Sequence, residues 1–381
     1  MIYVHIPFCR SFCTYCDFYS ELAARCRRAQ DELRQEELFG SYSQALSHEI
    51  ALRAGEMSDG INTLYIGGGT PSVLPLDVYK RLIHDLGAVG IKAPFEEFTF
   101  EVNPEDIVEK GEYYVEGLLE LGVTRISMGV QSFDDAILKW MNRRHDSATA
   151  VRAYNILESA CVENISIDLI FGLPQLNESM WEETLKRALD ISSKAVLPKH
   201  ISSYQLSVEP GSALAKLMER NRWSEASDEQ CTRQYDILCD TLSEAGYHHY
   251  EISNFAQEGY EARHNSAYWE HVPYVGLGPG AHSFSNSSRQ WNNPDLQAYI
   301  SDPLSVQEHE DLNEEQLVLE KIMLALRTSA GISEKYLREH ADNEALDLAL
   351  RCGDLVPSHS GKLRIPEKRF FVSDNIISKL I

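Results

Sequence analysis

Residues 2–18 read IYVHIPFCRSFCTYCDF. The alternating run Ile2–Ile6, rich in β-branched and aromatic residues, predicts a strand. Pro7 stops it, and Cys9, Cys13 and Cys16 follow at once in a C-x3-C-x2-C spacing. Thiolates this close together can wrap one compact inorganic core. A structural zinc site takes four ligands, usually from two paired knuckles. Only Cys26 or His5 could supply a fourth here, and neither spacing is typical. A cluster bound by four cysteines would also need another. Three thiolates on a four-iron cluster leave one iron open to an outside ligand. Zinc and buried, unligated thiols are the competing readings.

Outward from this stretch, short β-rich runs alternate with helical patterns. Strands are predicted at 2–6, 62–67, 97–102, 124–130, 164–170 and 199–206, and helices near 42–54, 76–87, 112–121, 147–160 and 178–192. Such alternation implies parallel strands with crossover helices, in either a doubly wound sheet or a partial barrel. Polar residues gather where the strands stop: Gly67–Gly68–Gly69–Thr70, Glu101 and Asn103, Gln131, Asp168, and Tyr204–Gln205. In parallel α/β barrels the carboxyl ends of the strands face one common site. Ordinary strand-terminating polarity is the bland alternative.

The remainder divides by character. The charged stretch 21–40 reads as a surface helix or insertion. Residues 207–300 are less regular and rich in His, Tyr, Trp and Asn, and 207–304 are expected to form an accessory segment that completes the core at 1–206. From 305 the pattern changes. Residues 313–328 form an amphipathic helix behind an Asn cap. Two short helices and a hairpin in LVPSHSGKLRIP follow, which predicts a small C-terminal α/β module of winged-helix type at 305–381.

Composition narrows the partners. Of 381 residues, 35 are basic and 58 acidic, for a net charge of −23. A polyanion would be repelled at long range, so neither nucleic acid nor an anionic membrane surface is an expected partner. No run of ~18 apolar residues marks a membrane span. The opening MIYVHIPFC has no basic n-region and is not expected to be a signal peptide. Cysteines crowded at one end of a large chain read as intracellular metal ligation, hence a cytoplasmic protein.

The cysteine spacing resembles that of the radical S-adenosylmethionine (SAM) superfamily. Tyr3-x-His5-Ile-Pro-Phe-Cys9, GGGTPS (67–72), EVNPE (101–105), GVQSF (129–133), NRRH (142–145) and DLIFGLP (168–174) follow in order. YEISNFA (250–256), RHNSAYW (263–269) and GLGPGAHS (276–283) extend the match. Together they are similar to the branch that holds oxygen-independent coproporphyrinogen III oxidase and its haem-chaperone relatives. The resemblance implies a partial (β/α)6 barrel of the TIM type. It implies that Cys9, Cys13 and Cys16 ligate a 4Fe-4S cluster whose open iron takes SAM, with one electron from the cluster cleaving the sulfonium. Tyr3, Tyr15, Gly68, Gly69, Thr70 and Glu101 would contact SAM. Gln131, Arg143 and Asp168 would line the same cavity. These chemistries suit the roles: glycines allow close backbone approach, Glu101 can accept from an amino group, Gln131 and Asp168 can bind ribose hydroxyls, and Arg143 can meet a carboxylate bidentately.

Within that branch two features favour the chaperone. The oxidase pattern carries a further cysteine one residue after the third, where this chain has Phe18. The oxidase is also implied to carry an extension before its cluster, whereas this chain begins close to its first strand. His264–Asn265 and Tyr268–Trp269 match the H-N-x-x-Y-W motif that the relatives associate with haem, and a neutral imidazole is a good axial ligand. Packing of His264 beside Trp269 or at a turn is the alternative. The implied partners are haem and haem-accepting respiratory proteins. The cluster and SAM would gate transfer, support a homodimer or retain radical cleavage. The rival implied activity is oxidation of coproporphyrinogen.

Overall fold

A computed structural model describes residues 1–23, 29–57, 60–210, 212–358 and 361–381. Six parallel strands form the wall of the first half: β1 (Ile2–Ile6), β2 (Thr63–Gly68), β3 (Glu97–Val102), β4 (Arg125–Gln131), β5 (Asn164–Phe171) and β6 (His200–Gln205). All lie within a residue or two of the predicted runs. Their side chains alternate strictly. Leu64, Ile66, Phe98, Phe100, Ile126, Met128, Ile165 and Ile167 are buried apolar positions. Tyr65, Glu101, Ser127, Asp168 and Ser202 occupy the other face and line an internal cavity. Parallel strands packed on both faces usually read as continuous apolar runs. Polar alternation here reflects an interior that holds a ligand-sized space.

Three later strands complete the sheet: β7 (His248–Glu251), β8 (Asn254–Ala256) and β9 (Val275–Leu277). The order is β9-β1-β2-β3-β4-β5-β6-β8-β7, with β9 parallel to β1 and with β8 antiparallel to both β6 and β7. A doubly wound sheet reverses its strand order at a switch point. This order runs sequentially from β1 to β6, as a barrel wall does, so the partial barrel is the fold.

Helices cover the outside: α1 (Ala29–Leu52), α2 (Leu76–Ala88), α3 (Pro104–Glu120), α4 (Asp135–Trp140), α5 (Ser147–Ser159) and α6 (Glu178–Leu189). α3 begins well before the predicted 112–121. Pro104 sits in its first turn, where its missing N–H costs nothing, and Gly111 (φ 69°) kinks the helix midway.

The accessory segment is clamped to α1 by a buried ion pair. Glu49 accepts from Arg53 (2.9 Å), Tyr299 (2.7 Å), Asn292 (2.8 Å) and the Gly278 N–H (2.8 Å). Arg53 also donates to the Gly276 carbonyl at 2.7 Å. The strand Gln307–Asp311 pairs with Ser288–Asn292, which pairs with His282–Ser285, so the expected boundary at 304/305 runs through a three-stranded sheet. Beyond it, a capping box between Asn313 and Gln316 opens the helix Glu314–Ala325. The helices Glu334–His340 and Asn343–Cys352 and a small antiparallel sheet that includes Val356–Pro357 and Lys362–Arg364 give the winged-helix-like module. Among the described residues no helix is long and apolar enough to cross a membrane.

Candidate cofactor site at the barrel mouth

The three cysteines lie on a loop at the carboxyl end of β1. Short parallel pairing of Phe8–Cys9 with Glu21–Leu22 closes the loop. The end of α4 pins its middle: the Thr14 N–H and hydroxyl donate to the carbonyls of Met141 (3.1 Å) and Trp140 (2.8 Å), and Asn142 donates to the Phe12 carbonyl (2.7 Å). All three are free, partly buried thiols that line a cavity of about 810 Å³. Cys26, a candidate fourth ligand, lies outside the described residues.

Burial pushes the Cys9 thiol up and carries Cys16 up to about 12, with the neighbouring thiols adding to both. Such groups become thiolates by binding metal rather than by titration. Among the described residues no three His, Cys, Asp or Glu side chains converge closely enough for a single ion. Three thiols ringing a cavity suit a core of several irons better than one zinc. Cys9 Sγ lies 3.4 Å from the Thr70 hydroxyl, and Arg143 donates to Cys13 Sγ at 3.5 Å.

The glycine loop after β2 packs directly on this segment. The N–H groups of Gly69 and Thr70 donate to the carbonyls of Ile6 and Phe8, each at 2.8 Å. A Cβ on Gly69 would stand 2.7 Å from the Phe8 carbonyl oxygen. Gly68 has φ +108°, and a Cβ there would meet the His5 ring at 2.7 Å. Only glycine satisfies both the backbone angle and the approach.

Deeper in the cavity, Glu101 accepts from Tyr65 (2.6 Å) and from the Gly68 N–H (3.2 Å). Burial, opposed by these bonds, pushes its carboxyl up to about 7. Asp168 accepts from Ser127 at 3.1 and 3.3 Å, and burial raises it as well. Arg143 is fixed by Asn103 Oδ1 (2.6 Å) and the Gly129 carbonyl (2.7 Å), while its buried Nε has no partner. Gln131 sits at φ 67° where the β4–β5 register shifts. A side chain held in that strained backbone is re-aimed at the end of its strand. Carboxyl, amide, hydroxyl and guanidinium groups therefore face one space.

Tyr15, Gly68, Gly69, Thr70, Glu101, Gln131, Arg143 and Asp168 all line this cavity with the cysteines. Tyr3 does not. Its hydroxyl lies 3.1 Å from Nδ1 of His5 and its ring 6.0 Å from that of Tyr65, which does line the cavity. Asn103, one of the polar residues expected at the strand ends, lines it too, whereas composition and spacing missed Tyr65, Arg125, Ser127 and Ser202. The inward phase of each strand was the signal available for Tyr65, Arg125, Ser127 and Ser202.

His264 occupies the opposite end of the barrel. The helix Arg263–Trp269 starts on Glu97, whose carboxylate accepts from the N–H groups of Arg263 (2.8 Å) and His264 (3.0 Å). Nδ1 of His264 lies 2.9 Å from the Thr63 hydroxyl and Nε2 lies 3.0 Å from the Tyr268 hydroxyl. Thr63 and Glu97 are the first residues of β2 and β3, so this segment forms the barrel floor. His264 is fully buried, and burial lowers its pKa to about 3, so the ring is neutral. Both its nitrogens are engaged, and no face of it is open to a planar ligand in this conformation. Its neighbour Asn265 reaches the cavity lining from below.

Residues 3–188 match the family model of the Radical SAM superfamily. The chain is 33% identical over 344 residues to a Synechocystis protein named heme chaperone HemW, covering 87% of this chain and 78% of that one. A Mycobacterium tuberculosis protein of the same name is 30% identical over 385 residues, covering 100% and 94%. The solved structure of Escherichia coli coproporphyrinogen III oxidase, a radical SAM enzyme, superposes with a TM-score of 0.78 over 99% of this chain and 89% of that one, at 20% identity. That likeness is one of fold. Three thiols, a glycine loop and two part-buried carboxylates toward the carboxyl ends of a sequentially ordered parallel barrel agree with these matches: the chain belongs to the radical SAM superfamily, in the family of proteins named heme chaperone HemW.

Proposed function

We propose that this protein is a haem chaperone that binds haem and passes it to haem-dependent acceptor proteins, with respiratory enzymes as the expected class. In this reading Cys9, Cys13 and Cys16 hold a 4Fe-4S cluster, and SAM occupies the adjoining cavity. When bound, the cluster supplies one-electron chemistry at the sulfonium. The chain's own residues do the positioning. Glu101 accepts from the amino group, the glycine loop admits the ligand to the backbone, and Arg143 binds the carboxylate while screening Cys13. Asp168 and Gln131 take the ribose hydroxyls. The crowding of unpaired cysteines supports a reducing, cytoplasmic setting.

The observation that carries the reading is the convergence of the thiols, Glu101 and Asp168 on one cavity, in a chain whose relatives are named for haem. His264 is the proposed iron ligand, and to serve it must leave Thr63 and Tyr268. The rival reading, oxidation of coproporphyrinogen, is favoured by the fold likeness and opposed by Phe18. That residue is 64% exposed and takes the place of a thiol.

Anaerobic reconstitution followed by haem titration and transfer to an apo-haem protein tests the proposal. A Soret shift and transfer support it. Formation of protoporphyrinogen from coproporphyrinogen, SAM and a reductant would sink it.

A further inference from the structure

Arg125 is 1% exposed and lines the cavity from inside the barrel. Its Nη2 lies 3.2 Å from Nδ1 of His200, and its buried Nε has no partner. His200 offers no charge. Its Nδ1 also lies 2.8 Å from the Ser166 hydroxyl and its Nε2 2.7 Å from the Tyr250 hydroxyl, and burial together with Arg125 holds its pKa well below the usual value. A buried cation without a compensating charge is costly. The strand register shows where the compensation stands. Arg125 pairs with Thr99 on β3 and with Asn164 on β5. Glu101 and Asp168 therefore lie on the flanking strands, same face, two and four residues closer to the cysteines.

We propose that Arg125 is a positioning residue, the internal counter-charge to Glu101 and Asp168 on the flanking strands, which favours them as acceptors for a bound nucleotide. The nucleotide part rests on the reading that the cavity seats SAM. Other groups facing the trio are fixed in kind. Tyr65 and Tyr3 face Glu101, and Arg143, Ser202 and Tyr204 face Asp168. His200, Tyr250 and the neutral His264 face Arg125, with Glu251 beyond Tyr250. Among the cations here, Arg125 lowers both carboxyls, whereas Arg143 acts on Asp168. Burial drives both carboxyls upward, so loss of Arg125 leaves that push less opposed at both.

The test is an isotope-edited infrared titration of the carboxyls in the full, cluster-loaded chain, with bands assigned by Glu101→Gln and Asp168→Asn. Arg125→Met is expected to move both midpoints upward by about one pH unit, and Arg125→Lys to stay near wild type. A merely structural role would lower the melting temperature without moving the titration. A folded Arg125→Met protein with wild-type midpoints overturns the proposal. If that variant does not fold, the same substitution is made in the Glu101→Gln/Asp168→Asn background. There it should be better tolerated, and equal damage in both backgrounds overturns the proposal. The titration needs no nucleotide, so failure of wild type to bind SAM would count against the cavity reading alone.

Discussion

Arg143 donates to Sγ of Cys13 at 3.5 Å, tying the cluster loop to the end of β4. The same guanidinium is held by Asn103 and the Gly129 carbonyl, so it cannot drift from the thiol. A hydrogen bond to a charged sulfur is worth about 1.5–3 kcal/mol. Arg143→Met should therefore lower the cluster's midpoint potential, by up to roughly 100 mV for a one-electron couple. Arg143→Lys should recover part of it. A redox titration followed by electron paramagnetic resonance reads the shift.

Each of Cys9→Ser, Cys13→Ser and Cys16→Ser should lose the iron–sulfur absorbance after anaerobic reconstitution. The fold should survive, because the nine-stranded sheet is built without those side chains. Iron and sulfide counts alongside far-ultraviolet circular dichroism check both halves of the prediction.

Glu101 predicts a pH dependence of stability. Its carboxyl is raised from 4.5 to about 7 in the folded chain. Between those values the folded protein keeps a proton that the unfolded chain releases, so stability falls as pH rises through that window. The loss is on the order of 3 kcal/mol. Glu251, also raised to about 7 by burial, acts in the same direction. His5, His249 and His264, lowered by burial to about 4, 4 and 3, act in the opposite sense below pH 6.5. The Glu101 contribution is therefore read as the difference between Glu101→Gln and wild type in urea unfolding at pH 5 and pH 8: the variant should gain stability relative to wild type as pH rises.

The barrel floor makes opposite predictions for two neighbours. His264→Ala leaves the hydroxyls of Thr63 and Tyr268 unpaired and opens a void, costing roughly 2–4 kcal/mol, and should abolish the haem-induced Soret shift. Tyr268→Phe frees Nε2 and should strengthen haem binding severalfold in the same titration.

Much of this was legible in the sequence. Strands β1 to β6 announce themselves because each is short and has a polar residue, proline or glycine at its end or just past it. Cys9 and the glycine loop lie within a few residues of strand ends, where a barrel gathers its ligands, and Cys13 and Cys16 follow Cys9 on the same loop. What was not legible depends on partners distant in the chain. β9 is three residues long and exists because β1 offers it a free edge. The kink at Gly111 hides the first turns of α3. Arg125 reads as an ordinary strand residue until Glu101 and Asp168 are seen on either side of it. RHNSAYW is an aromatic, histidine-bearing helix whether it faces solvent or plugs a barrel, and only Glu97 and Thr63 decide which.

The clamp on α1 gives a further check. Glu49 and Arg53 are almost wholly buried, and breaking one partner of such a pair costs about 3–5 kcal/mol. Glu49→Ala should destabilise by that amount, and the Glu49→Met/Arg53→Met pair by clearly less. Chemical denaturation separates the two outcomes.

The most direct test of the account is the electron paramagnetic resonance spectrum of the reduced, reconstituted protein before and after addition of SAM. A cluster held by three thiolates with one iron open to the cavity predicts a changed spectrum on addition, with the change weakened in Glu101→Gln. A spectrum indifferent to SAM, or a full cluster surviving in Cys9→Ser, would contradict it.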